Sequence, residues 1–227
     1  MRLEGNLILK KFLIWRIKHI PNKQFIHFVS ILVGILSGLL AATMKNTTYF
    51  FKQLVTSVNI EYQSLFYFIF PIIGILLTRA IIRYGIKKPV NHGIPDVLYA
   101  LSKRKGILPA YQMFASLFTA PITIGFGGST GLEGPTVSGG AGIASNLSRL
   151  LHLNQATRSL LIGCAAAGAI SAIFKAPIAA IIFAIEVFSL DLTLASLLPL
   201  LFASISALLT TYFFFGSTQL LPFELKD

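Results

Sequence analysis

The sequence predicts an all-α fold, a polytopic membrane bundle of tilted and broken helices, and three observations carry that prediction. The 227 residues are 55% hydrophobic and only 12% charged, with a mean hydropathy of +0.76. Soluble domains carry about 25% charged residues, so this chain has too few charges to build a polar shell, and a bilayer removes that need. Second, several apolar runs reach the roughly 20 residues that cross a hydrocarbon core. Third, from Pro89 to Pro177 the apolar stretches are broken by Gly, Ala, Ser, Thr and Pro. Broken helices at membrane depth occur where protein or a water-filled cavity satisfies the loose backbone, and they mark transport sites. The length suits one domain or two small ones.

Charge gives the orientation. Nineteen Lys and Arg stand against 8 Asp and Glu, a net charge of +11. Arg2, Lys10, Lys11, Arg16, Lys18 and Lys23 precede the first long apolar run, and Lys87, Lys88, Lys103, Arg104 and Lys105 lie between later ones. This segregation follows the positive-inside rule and suits attraction to anionic lipid rather than to nucleic acid. The expectation is a multi-pass protein of the cell membrane with a cytoplasmic N-terminus and no signal peptide. The one cysteine, Cys164, makes no internal disulfide or zinc site and reads as a small packing residue.

The elements follow in order. Residues 1–24 read as a basic amphipathic helix on the cytoplasmic surface, with Phe12, Trp15 and Ile17 among its apolar contacts. A first spanning helix covers 25–44 and contains Gly34 and Gly38, a small-xxx-small spacing that permits close helix approach. A polar loop is expected over 45–63, outside the cell, and a second span over 64–82. Pro95, Pro109, Pro121, Pro135 and Pro177 each offer a helix start, because proline suits the first helical position. Short helices are therefore expected at about 95–102, 109–125, 135–151, 156–173 and 177–189. A last full span covers 192–215, within a membrane domain of 25–215, and a polar tail runs from 216 to 227.

Chemistry concentrates in the glycine-rich segment from Gly125 to Gly140. It places Glu133 in a turn, two residues before Pro135, which can open a helix. Helix N-termini expose free N–H groups and a partial positive charge, and they bind anions without a cationic side chain. A carboxylate tethered there can occupy the anion's place, be displaced by a mobile anion or be neutralised by a proton, which is the physics of a gate. An ionisable residue at membrane depth points to function more than to capping. The turn from Asn91 to Asp96 repeats the design, with glycine, then proline, then a short helix. Farther on, Glu186 lies late in an apolar helix that begins near Pro177, where a structural, interfacial role is the plainer reading.

At these segments the chain resembles the CLC family of chloride channels and chloride/proton antiporters. That family carries a Gly-Ser-Gly-Ile-Pro turn, a Gly-(Lys/Arg)-Glu-Gly-Pro turn and a helix of the type Ala-Pro-x-Ala-(Gly/Ala)-x-x-Phe-x-x-Glu. Here they stand as Asn91-His-Gly-Ile-Pro95, Gly131-Leu-Glu-Gly-Pro135 and Lys175 to Glu186, in the same order, with Ala165-Ala-Ala-Gly168 between the last two. The resemblance runs from about residue 25 to 215. It implies that Glu133 is the gating glutamate, and that His92, Gly93, Ile94 and Pro95, with Gly131, Leu132, Gly134 and Pro135, form two helix termini around a permeating chloride or similar anion.

The departures are informative. His92 stands where the family has a serine donor, so a pH-sensitive imidazole replaces a hydroxyl. Leu132 replaces the basic residue before the gate. Val187 replaces the second, intracellular glutamate of antiporters, which favours passive conduction over proton exchange; Glu186, one position earlier, points to a different side of its helix. The family is built from two inverted repeats, and this chain corresponds to the first. The resemblance therefore implies either a homodimer, with contacts from residues 177–215, or a missing second-half chain. A non-conducting truncated half or subunit that needs a second repeat from a partner chain is the rival to a working pathway, and a fragment or truncated product is the first explanation of the length. Enzyme chemistry is disfavoured: the glycine-rich segment lacks the Gly-Lys-Ser/Thr of a P-loop and the strand and acidic residue of a dinucleotide site. His19, His27, His92 and His152 have no metal-ligand spacing, and neither metal nor other cofactor is expected.

Overall fold

A computed structural model describes residue 16 and residues 20–57, 63–90, 93–191 and 193–215. The segment expected to be amphipathic over 1–24 lies largely outside these residues, as does the tail 216–227. Among the described residues the chain is helical throughout: α1 (Asn22–Thr56), α2 (Gln63–Ala80), α3 (Ile94–Lys103), α4 (Tyr111–Gly125), α5 (Glu133–Leu150), α6 (Gln155–Phe174), α7 (Pro177–Phe188) and α8 (Leu194–Phe215). A π-helical turn, Ile81–Ile86, extends α2 and ends where Lys87 takes a left-handed conformation and its N–H bonds Ile82 O at 2.9 Å.

Among the described residues, four segments are long and apolar enough to cross a membrane: Asn22–Thr56, Ile69–Ile86, Gln155–Phe174 and Leu194–Phe214. Their burial sorts them. The window in Gln155–Phe174 is 72% buried and that in Ile69–Ile86 only 6%, so α6 is the axis of the bundle and α2 lies at its edge. α6 packs against α1, α5, α7 and α8, and every residue from Leu161 to Ile173 is buried. Most of them are Ala, Gly, Ser or Cys, which allows neighbouring backbones to approach from all sides. Cys164 is one of these packing residues. α6 opens on Asn154, whose Oδ1 accepts from Thr157 N at 2.8 Å. Replacing this cap by alanine is expected to cost about 1 kcal/mol, read as a small fall in the melting temperature of the detergent-solubilised chain.

The Gly34–Gly38 spacing does what it predicts. α1 crosses α8 so closely that a Cβ on Gly34 meets Ser206 Oγ and Ala203 O, and one on Gly38 comes within 2.8 Å of Ala207 O. Ser206 Oγ donates to Ile31 O at 3.2 Å across the crossing.

Two expectations are corrected. The polar loop expected from residue 45 is helix as far as Thr56, so α1 has 35 residues. Residues 45–56 contain neither Gly nor Pro, and threonine hydroxyls bond back along the helix, Thr47 to Thr43 O at 2.8 Å and Thr48 to Met44 O at 2.8 Å; polarity without a breaker does not end a helix. Pro121 does not start a helix but lies inside α4. Around that turn the Thr78 and Thr123 hydroxyls meet at 2.9 Å, and Thr123 Oγ1 donates to Thr119 O at 3.0 Å. Side-chain hydroxyls and neighbouring helices let membrane helices carry proline internally. Pro95 and Pro177, by contrast, do sit in the first turns of α3 and α7.

Candidate functional site

The site is built from the starts of α3 and α5. Gly93 caps α3 with φ 106°, a backbone region that L side chains rarely adopt, and it is buried. Ile94 packs against the main core, while Pro95 is exposed. Asp96 completes the first turn, and its carboxylate accepts a short hydrogen bond from the amide of buried Gln112 in α4. That bond ties the start of α3 to its neighbour. His92 lies outside the described residues.

α5 begins at Glu133, with Leu132 as its cap. Leu132 O accepts from Thr136 N at 3.0 Å and from Thr136 Oγ1 at 2.6 Å, closing the first turn. The Glu133 side chain folds back over Gly131: its Oε2 occupies the space that a Cβ on Gly131 would fill. A side chain at residue 131 would therefore displace the carboxylate from this position. Leu132 turns the other way and packs against the apolar groups that contain Leu40, Met44, Ala41 and Ile173. Glu133, Gly134 and Pro135 are half-buried, and Gly131 is exposed.

The fold brings these two turns together. A Cβ on Gly134 would stand 3.4 Å from Gly93 Cα, so the helix starts adjoin with no side chain between them at this point. The N–H groups of Ile94, Asp96, Glu133 and Gly134 fall in first turns, where no carbonyl of the same helix is available. Pro95 and Pro135 carry no N–H and lose nothing by standing there. Two partial positive charges therefore adjoin, and the carboxylate of Glu133 is tethered to the start of one of them. Together they can hold an anion, or hold the Glu133 carboxylate in its stead.

Glu186 is not part of this cluster. It is exposed near the C-terminal end of α7, whereas Val187 beside it is half-buried against the main core; the two residues do face different sides. Sequence reasoning passed over the Asp96–Gln112 bond, which joins residues 16 positions apart, and it assigned Lys45 to a loop. Lys45 instead lines a cleft with Lys175 and Leu132. The absence of any helix breaker after residue 44 is the signal that could have placed it.

Residues 73–227 match the voltage gated chloride channel family, a stretch that includes both turns. A ClcB-like protein of Ralstonia nicotianae is 30% identical over 158 residues, 67% of this chain and 37% of the relative. An H(+)/Cl(-) exchange transporter, ClcA, of Vibrio cholerae is 28% identical over 166 residues, 70% of this chain and 36% of the relative. An uncharacterised protein of Methanocaldococcus jannaschii is 32% identical over 135 residues, 59% of this chain and 33% of the relative. The chain spans about a third of the length of these relatives. With the helical bundle, its membrane-crossing segments and its glycine-lined helix starts, the match over residues 73–227 means that the chain belongs to the voltage-gated chloride channel, or CLC, family.

Proposed function

We propose that this chain forms a pathway for chloride or a similar anion, in which the first turns of α3 and α5 hold the ion and Glu133 is the gate. The observation that supports the reading is the close approach of Gly93 and Gly134, which brings two helix N-termini together, one of them opening on Glu133. An anion arriving there competes with the Glu133 carboxylate for the same N–H groups, and protonation of Glu133 removes the competitor. Val187 cannot relay a proton and Glu186 faces out of the bundle, which favours passive conduction over exchange. The basic loops favour a cytoplasmic N-terminus in the cell membrane.

The test is chloride efflux from liposomes containing the purified chain, beside a Glu133→Ala variant. Efflux that changes at least tenfold in the variant is expected. Efflux that is indifferent to Glu133 refutes the gate.

A second reading has its own support. The chain covers 36–37% of two relatives' length, and Pro95 and Gly131 at the site are exposed. On that reading the site is half of a pathway, and a second repeat from a partner chain or a second copy completes it. The exposed apolar side chains of α7 and α8, such as Ile178, Ile182 and Leu209, are available for a homodimer contact. No efflux from either the parent or the variant supports this reading, and efflux that appears only on co-reconstitution with a second-repeat chain establishes it.

A further inference from the structure

We propose that the outward face of α2 and its π-helical end bind one anionic phospholipid, with the phosphate held by Arg79 and Arg83 and an acyl chain lying along Ile69, Ile72 and Leu76. Such a site is independent of the gate at Glu133.

α2 has two different faces. Gly74 and Thr78 belong to the packed one: a Cβ on Gly74 would come within 2.6 Å of Phe126 Cβ, and the Thr78 hydroxyl meets that of Thr123 at 2.9 Å. At about 100° per residue, Ile69, Ile72, Leu76 and Arg79 turn away from that face. Ile72 and Leu76 are 58% and 59% exposed, and Ile69, Arg79 and Arg83 are exposed as well. An apolar seam thus runs on into two guanidinium groups. The π turn keeps it straight. A step of four residues overshoots an α-helical turn of about 3.6 residues. The turn Ile81–Ile86 is π-helical, bonds one residue farther on and takes more residues per turn, so Arg83 stays in line with Arg79.

Both arginines lie inside Ile69–Ile86, a segment long and apolar enough to cross a membrane. Cations in such segments ordinarily turn into the bundle and pair there. Arg79 and Arg83 do neither: their segment is the edge of the fold, and among the described residues no carboxylate pairs with them. Arg83 has a ring for a neighbour, its guanidinium carbon 5.9 Å from the centre of Tyr84. Tyr84 is itself exposed, as suits an amphipathic ring at a membrane–water boundary. The helix dipole favours cations at this end but gives their N–H groups no acceptor. Between Glu61 and Glu133 the chain has one acidic residue, Asp96, against seven Lys and Arg, and Asp96 is engaged by Gln112.

Charge complementarity therefore calls for an anion from outside the chain, and the seam decides which. Arginine takes phosphate oxygens in a bidentate fork, and its stem can lie on apolar surface while the head reaches the interface. From Ile69 to Arg79 the helix rises about 15 Å, half of a hydrocarbon core of about 30 Å. An apolar track one leaflet deep that ends in two phosphate-binding groups fits a phospholipid, not a free phosphate. The headgroup end is fixed against α4: Lys88 Nζ lies 5.1 Å from the centre of the Tyr111 ring, and the Tyr111 hydroxyl donates to Pro89 O at 2.9 Å.

The test is native mass spectrometry of the full chain from micelles holding equal amounts of phosphatidylglycerol and phosphatidylcholine with the same acyl chains. Retention of one phosphatidylglycerol, favoured over phosphatidylcholine by about tenfold or more, is expected. Arg79→Gln/Arg83→Gln should abolish that preference. Lys103→Gln/Arg104→Gln, which removes the same charge from the loop after α3, should leave it within about twofold. The parent chain gives a reading that does not depend on how the variants fold: phosphatidylglycerol with a photoreactive group in its acyl chain should label residues 69–76. Equal losses in the two Gln pairs would show diffuse charge attraction and overturn the site. So would equal retention of the two lipids, or labelling confined to other helices. Displacement by millimolar glycerol phosphate would mark a site for soluble phosphates instead, and loss of the label on co-reconstitution with a second-repeat chain would show that protein covers α2; either result also overturns the proposal.

Discussion

Replacement of Gly34 by leucine is expected to remove the folded bundle. At this position a Cβ already meets Ser206 Oγ and Ala203 O and lies 2.8 Å from Ala203 Cα. Two of these neighbours are backbone atoms of α8, so no side chain can swing aside, and the larger residue must push α1 off α8. Overpacking commonly costs about 1–3 kcal/mol, and more where the backbone must move. α1 and α8 both pack on α6, so separating them also loosens the axis of the fold. In a chain of this size each kcal/mol shifts the melting temperature by roughly 2–4 °C. A fall of about 10 °C, or loss of the monodisperse peak on gel filtration, is expected. Gly85→Ala is the control: the nearest atom to its added Cβ is Ile81 Cγ2 at 4.0 Å, and no change is expected. A Gly34→Leu protein that melts with the parent would mean that this crossing is not as close as described.

Gly134 gives the second large effect, and it depends on size. Its added Cβ stands at ordinary contact distance, 3.4 Å, from Gly93 Cα, so alanine fits between the two helix starts. Leucine does not, and must wedge the α3 turn away from the α5 turn. If the anion is stabilised by both N-termini, their separation weakens that stabilisation. Chloride efflux is expected to stay within about threefold of the parent for Gly134→Ala. It should fall at least tenfold for Gly134→Leu, since about 1.4 kcal/mol of lost stabilisation suffices for that factor. Both variants should melt near the parent temperature, because Gly134 faces a turn rather than the buried stripe of α5 that begins at Thr136. Equal efflux from the two variants would show that apposition of the turns is irrelevant to transport. Where the chain needs a second repeat, the comparison is made in the co-reconstituted pair.

How much of this was legible in the sequence varied with the kind of signal. Backbone chemistry that depends on one residue was readable: Pro95 and Pro177 mark helix starts. Chemistry that depends on a partner was not. Pro121 has the same missing N–H as Pro177, yet lies inside α4 among threonine hydroxyls contributed partly by α2. Asp96 stands in the sequence only as the end of a turn, and its hydrogen bond to Gln112 ties it to α4. Leu132 reads as a missing charge, and in the fold it is an apolar anchor.

The sequence by itself determined that the chain is a helical membrane protein of this family, which helices are broken, and that Glu133 stands at a helix start. Those properties follow from hydropathy, from proline and glycine, and from residue order, all of which are local. The tertiary structure alone decided that α6 is the axis, that α1 runs on through Lys45 to Thr56, that Gly93 meets Gly134, and that Lys45 and Lys175 share a cleft. Each of these pairs residues at least 41 positions apart, or depends on whether a polar stretch keeps its helix. Only packing, which sets which faces can approach, settles such matters.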